Sequence, residues 1–175
     1  MLHENGAGRN ILIFTNSDQI ARLNELAEAL PEFRFHVAAL TEMSSKLLAV
    51  SVCPNISLFP AISEKKAASL WKTCDIYLDI NYGNEILSAV KTAFQNRHLI
   101  FAFEETAHNR QFVAAKNIFR SDHYKEMAGR IRTSVSDKAV MENELKVQFE
   151  AAFAASPEDY KRVISGADRI TPHSH

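Results

Sequence analysis

The sequence contains no apolar run near the ~20 residues that a bilayer-spanning helix needs. Its opening segment, Met1 to Asn10, has no apolar centre of the kind a secretory leader carries. Cysteine is scarce. Cys53 and Cys74 are the only two, and they form neither a CxxC pair nor a metal cluster, which fits a reduced cytoplasmic setting without a disulfide. Neither sign of charge dominates: 20 Lys and Arg stand against 21 Asp and Glu, for a net charge of −1. A general nucleic-acid or anionic-membrane surface is therefore not predicted. The seven histidines make no HxxxH or HExxH on a predicted helix. The HxH formed by His173 and His175 lies in a polar tail, so no metal site is expected. Glycine is missing where nucleotide chemistry would want it. The turn after the first strand is Thr15-Asn16-Ser17-Asp18, which excludes the glycine-rich dinucleotide cradle, and no P-loop follows elsewhere. No GxSxG elbow is present. A phosphoacceptor domain would end its third strand in Asp and its fifth in Lys, whereas these strands end in Phe59-Pro60 and Glu104.

What is present is an ordinary globular composition, 46% hydrophobic and 23% charged, with strand and helix patterns in alternation. Ile11 to Phe14 is a short apolar run, as for a strand buried on both faces. Ile20, Leu23, Leu26, Ala27 and Leu30 recur at helical spacing, predicting a helix over 17–30 that stops at Pro31. Phe33 to Leu40 reads as a second strand, followed by a short helix over 43–50. Ile56 to Phe59 is a third strand, and Ser63 caps a helix to Lys72. Asp75 to Ile80 alternates as a fourth strand. Asn81, Gly83 and Asn84 turn the chain, with Asn84 as a helix cap, and Ile86, Leu87, Val90 and Phe94 predict one face of the next helix. Leu99 to Phe103 is a fifth strand, ending in the polar loop 104–110.

Five such units with right-handed crossovers predict an α/β fold: a doubly wound parallel, Rossmann-like sheet in the order 3-2-1-4-5, with a sixth strand near 112–114. The domain reading is a leader over 1–10, the sheet domain over 11–133, a helical tail over 134–166 and a disordered end over 167–175. The carboxyl ends of strands one and four then meet at the topological switch point, where open sheets bind ligands. Asn16, Asp79, Asn81, Asn84, Glu85, Glu104, His108 and Asn109 all follow apolar strand runs, so they are expected to border one cleft as substrate-binding residues. Glu104 and Glu105 resemble an acid–base pair, but neighbours at a strand end point opposite ways and only one would face the rim. In the tail, Met141, Leu145, Phe149 and Phe153 recur every four residues, a stripe expected to contact a further domain. Ser156-Pro157-Glu158-Asp159 marks the start of a last helix, which ends at Gly166.

The segments 14–20, 41–47, 74–87 and 103–110 resemble the carboxyl-terminal domain of the glycosylation-chaperone subunit of the accessory Sec system, over roughly 10–119. The resemblance implies one of two Rossmann-like halves of a bacterial, cytoplasmic, glycosyltransferase-like protein, peripheral at most to the inner membrane face. It implies two partners: a catalytic subunit that attaches N-acetylglucosamine, and the serine-rich repeat adhesin that accepts it. It implies no catalytic residue and no cofactor of its own. Retaining glycosyltransferases of this architecture carry two glutamates eight apart near the fourth strand. The corresponding positions here fall near Gly83 and Lys91, neither acidic, and Glu85 has no acidic partner at Ala93. An active domain binding a nucleotide sugar such as UDP-N-acetylglucosamine stays open as the alternative, as does a sheet whose rim takes a small polar metabolite.

Overall fold

Six parallel strands form one sheet in a computed structural model that describes residues 9–50, 52–155 and 158. They are β1 (Asn10–Phe14), β2 (Arg34–Ala38), β3 (Ile56–Phe59), β4 (Ile76–Asp79), β5 (Leu99–Phe103) and β6 (Ile118–Phe119). Their order is β3-β2-β1-β4-β5-β6. The register aligns Ile11 with Phe35 and Ile76, and Ile76 with Leu99. The central strands are apolar on both faces because helices cover both. Ile11, Ile13, Phe35, Val37, Leu78 and Phe101 pack beneath α1 (Leu23–Ala29), α2 (Ser45–Val50) and α5 (Tyr124–Ser134). Leu12, Phe14, Tyr77 and Ile100 face α3 (Glu64–Thr73) and α4 (Ala89–Gln95).

Three local readings of the sequence are corrected. The helix expected over 17–30 begins only at Leu23, with Arg22 in a left-handed conformation at its cap. The reason is local competition. Thr15 Oγ1 donates to the Ser17 carbonyl at 2.8 Å, and Ser17 Oγ accepts from the Gln19 amide at 3.1 Å. These hydroxyls hold a turn where helix was predicted. The helix after β4 starts at Ala89, and Asn84 does not cap it. Leu87 and Ser88 both take positive φ, 46° and 51°, so Leu87 leaves the apolar face and stands 74% exposed. The sixth strand is Ile118–Phe119, whereas Arg110–Phe112 is a 3-10 turn. That turn drops Phe112 onto Phe94, ring centroids 4.9 Å apart. Ser63 does cap α3, accepting from the Lys66 amide at 3.2 Å. The leader through Gly8, the helix start at Ser156-Pro157 and the end through His175 lie outside the described residues.

The last described helix, α6 (Lys138–Ala155), is tied to this sheet. Leu145 and Met141 join the core under α5, while Phe149 packs on Phe94 with centroids 4.4 Å apart. Most of the stripe expected to meet another domain is thus taken up by the chain's own sheet, and Phe153 is 46% exposed. Glu144 accepts from Arg130 at 3.0 Å and from Lys116 at 2.7 Å. The decisive contact is Gln148. Only the carboxyl end of β5 pairs with β6, which leaves the amino end of β5 as an open edge. Gln148, fully buried, accepts from the Ile100 amide at 2.9 Å and donates to the His98 carbonyl at 2.8 Å. One side-chain amide here replaces a missing strand. Gln148→Ala should therefore leave two buried backbone groups unsatisfied. It should cost about 2–4 kcal/mol, read as a lower urea midpoint. An unchanged midpoint would mean that water satisfies this edge equally well.

Candidate functional site

Asp79 closes β4 on the α3 and α4 side of the sheet and is 1% exposed. A carboxylate so buried needs donors. His108, in the loop after β5, supplies two: its backbone amide donates to Oδ2 at 2.7 Å, and its Nδ1 lies 2.6 Å from Oδ1. On the other side of the ring, Nε2 lies 2.6 Å from the Gly83 carbonyl. A carbonyl only accepts, so Nε2 carries hydrogen, and the pair shares a further proton between Nδ1 and Oδ1. Thr106 adds a bond from its hydroxyl to the Asp79 main-chain carbonyl at 2.8 Å. The loops after β4 and β5 are thereby clasped together. Gly83 is needed at φ +93°, and a Cβ there would lie 3.3 Å from Asn16 Oδ1.

At the switch point between β1 and β4 the chain fills its own crevice. Ile20 forms an antiparallel bridge with Asn81. The Ala21 amide donates to the Ile80 carbonyl at 2.8 Å, and the Tyr82 amide to the Gln19 carbonyl at 2.9 Å. Ser17 Oγ donates to the Tyr82 carbonyl at 3.1 Å. The Ser17, Gln19, Ala21 and Tyr82 amides are thus spent within the chain.

The eight residues singled out from the sequence are thus divided. Asp79, His108 and Gly83 form the clasp, with Asn16 beside Gly83. Asn81 is 2% exposed, under the 16–22 loop. Glu85 accepts from the Val90 amide at 2.9 Å, capping α4 from the residue after the expected cap. Asn84 and Glu104 are exposed. Glu105 holds the Ser121 amide and hydroxyl at 3.1 and 3.0 Å, so the two adjacent acids do not act as a pair. Asn109 starts the 3-10 turn at Arg110.

A cavity of about 260 Å³ opens on the α3 and α4 side at the same edge, lined by Phe14, Leu40, Ile62, Ser63, Glu64, Ala67, Trp71, Ile86, Leu87, Ala89 and Thr92. None of the eight residues lines it. Trp71 forms its wall, stacked on Phe14 at 5.3 Å. Sequence reasoning missed this cavity because Leu87 had been placed on the buried helix face. Among the described residues no cluster of His, Cys, Asp or Glu could hold a metal ion. None of the described helices is long and apolar enough to cross a membrane. Cys53 and Cys74 are free, and burial pushes the Cys74 thiol up to about 12.

Comparison with known proteins places these features in context. Residues 11–148 match the profile of the GftB/GlyA-F C-terminal domain. The UDP-N-acetylglucosamine–peptide N-acetylglucosaminyltransferase stabilizing protein GtfB of Limosilactobacillus reuteri subsp. suis is 43% identical over 153 residues, which is 87% of this chain and 35% of the relative. The protein of the same name from Streptococcus pneumoniae serotype 4 is 42% identical over 149 residues, 85% of this chain and 34% of that one. The chain therefore spans about a third of the length of these curated relatives. A chain in the crystal structure of a GtfA/B complex bound to UDP and GlcNAc superposes with a TM-score of 0.77 at 40% identity, over 82% of this chain and 32% of that chain.

The clasp should make stability pH-dependent. Burial opposes the imidazolium of His108, but the Gly83 carbonyl and the Asp79 carboxylate outweigh it and hold the ring above its usual range. Burial likewise pushes Asp79 up, against the His108 hydrogen bonds. Both shifts mean that the folded state binds protons more tightly than the unfolded chain. The His108 contribution is then full below the unfolded imidazole value, about 6.5, and is lost as pH rises through the higher folded value. His108→Gln should cost about 1–3 kcal/mol near pH 6. The gap in Tm between parent and variant should narrow as pH rises through the folded value. A gap independent of pH would show that the pair holds no titrating proton.

Proposed function

The chain belongs to the GftB/GlyA-F C-terminal domain family, and on that premise we propose that it is one domain of a protein that stabilises a peptide O-GlcNAc transferase and holds its serine-rich acceptor, transferring no sugar itself. The observation that carries this reading is the closed switch point. A sugar-nucleotide diphosphate needs free backbone donors or basic side chains at that crevice. Here the Ala21 and Tyr82 amides are bonded to Ile80 and Gln19. The segments that follow the strand ends carry Asp18, Glu42, Glu85, Glu104 and Glu105 against Arg22, His108 and Arg110; Arg22 pairs with Glu25, Arg110 donates to the Glu104 carbonyl, and both nitrogens of the His108 ring are engaged. The relatives named as stabilizing proteins, and the fold match to a chain of a GtfA/B complex, support the same reading. A serine-rich repeat adhesin of the accessory Sec system is the acceptor proposed. A cytoplasmic setting, peripheral at most to the membrane, fits the two free thiols.

Within the rim, Asp79 and His108 hold the loops and Glu85 caps a helix. Asn16, Asn84 and Glu104 keep exposed polar ends and are the groups proposed to meet acceptor hydroxyls, with Asn81 and Asn109 behind them. Each such hydrogen bond is worth about 0.5–1.5 kcal/mol net. In the full-length protein, the combined change Asn16→Ala, Asn84→Ala and Glu104→Ala should weaken binding of an unglycosylated serine-rich peptide by about tenfold or more, with Tm unchanged. Calorimetry with UDP-N-acetylglucosamine on this domain should show no saturable heat. Tight one-to-one binding of that nucleotide sugar would instead make the domain a donor site, and unchanged peptide affinity in the triple variant would remove the rim from acceptor recognition.

A further inference from the structure

One imidazole joins two of the loops that carry the exposed rim groups. The His108 ring lies between two acceptors: Nδ1 is 2.6 Å from Asp79 Oδ1, and Nε2 is 2.6 Å from the Gly83 carbonyl. Serving both takes an N–H at each nitrogen, or one N–H and the proton of a neutral Asp79 carboxyl. A neutral imidazole beside a carboxylate has one N–H for the two acceptors. Loss of the shared proton therefore breaks one arm of the clasp, and burial decides which. Asp79 is 1% exposed, and a buried carboxylate without its donor costs more than a carbonyl that water can reach. Gly83 is exposed. The remaining N–H stays on Nδ1, and the Gly83 carbonyl is let go.

What is let go is the turn that presents Asn84. Tyr82 is pinned to the loop after β1 through Gln19 and Ser17, and Glu85 is pinned to the start of α4. Between them, the Nε2 contact is the only hydrogen bond from Gly83 and Asn84 to the rest of the chain among the described residues. The loop that carries Glu104 keeps its own ties. The Glu104 amide donates to the Phe119 carbonyl at 2.7 Å, and the Thr106 hydroxyl to the Asp79 carbonyl at 2.8 Å.

We propose that His108 is the positioning residue of the acceptor rim, and that the proton it shares with Asp79 gates acceptor binding by holding the Asn84 turn against the Glu104 loop. The inference rests on the acceptor reading above and names the regulation of that site. Burial opposes charge on the ring, but the Gly83 carbonyl, Asp79 in contact from β4 and Glu85 from the turn outweigh it and hold the ring above its usual range. Tyr77, on the same face of β4 as Asp79, stays neutral, because burial and then the Asp79 charge push its hydroxyl well above the ordinary value. Arg110, in the ring's own loop, is turned to the Glu104 carbonyl at 3.0 Å. Asp18 and Glu104, on the flanking loops, make no bond to the ring. Acceptor binding is full while the pair keeps its proton and weakens as pH rises through the folded value.

The test measures the affinity of the full-length protein for a serine-rich peptide with blocked ends and no ionisable side chain, so that any pH dependence belongs to the protein. Fluorescence anisotropy reads it across the pH range in which circular dichroism shows the fold intact. In the parent, Kd should rise about fivefold as pH passes through the folded value of the ring. His108→Gln should bind at about pH 6 as weakly as the parent does at high pH, with an affinity that no longer changes with pH. Asn84→Ala, which leaves the clasp intact, should bind weakly at every pH and lose most of the slope; it decides the question even where His108→Gln does not fold. A parent affinity independent of pH, or a parent-like slope in either variant, would overturn the gate and leave the acceptor reading standing. No binding of the peptide by the parent at any pH would overturn the acceptor reading and the gate with it.

Discussion

A carboxylate buried at the end of a central strand constrains everything around it. Asp79 is shut from solvent, and its two oxygens are satisfied only if the loop after β5 reaches back to it. That reach fixes His108, and His108 in turn fixes the Gly83 carbonyl. Gly83 must then take a positive φ beside Asn16, which sets the turn after β4. The left-handed pair Leu87 and Ser88, the late start of α4 and the Glu85 cap all lie downstream of that turn. Removing the Asp79 partner would leave a buried charge alone, a far larger penalty than the loss of one surface ion pair.

The same edge shows how a doubly wound sheet gives up its usual crevice. Parallel strands diverge at the switch point, and the free amides there ordinarily meet a ligand. Here the segment after β1 folds back to form one antiparallel bridge, Ile20 with Asn81, just past the end of β4. The hydroxyls of Thr15 and Ser17 hold it there in place of a glycine turn. The crevice is closed by backbone, the rim above it is polar and acidic, and the apolar cavity lies to one side. An edge built this way suits contact with polypeptides better than capture of a diphosphate.

The strand order and all five principal strands were legible because runs such as Ile11–Phe14 and Leu99–Phe103 are short, apolar throughout and bounded by polar turns, the pattern of a sheet covered on both faces. The Ser63 cap was legible for a local reason, a hydroxyl three residues before a free amide. What failed was long-range. Ile20 keeps helical spacing with Leu23, yet it pairs with Asn81, and no periodicity reports a bond across 61 positions. Leu87 fits the helical stripe but is turned out by its backbone conformation. Asp79 and His108 were both singled out as rim residues. Their direct contact depends on how two loops meet, and the sequence placed them only on the same edge. Gln148 gave no signal at all, since a polar residue within a helix usually faces water.

The central claim is that the switch point is closed by the chain itself, and amide hydrogen exchange at Ala21 and Tyr82 tests it most directly. Both amides should exchange as slowly as those of β4, and addition of saturating UDP-N-acetylglucosamine should leave their rates unchanged. Fast exchange at both positions, or a change in either rate when the nucleotide sugar is added, would show that the crevice is open and would contradict the account.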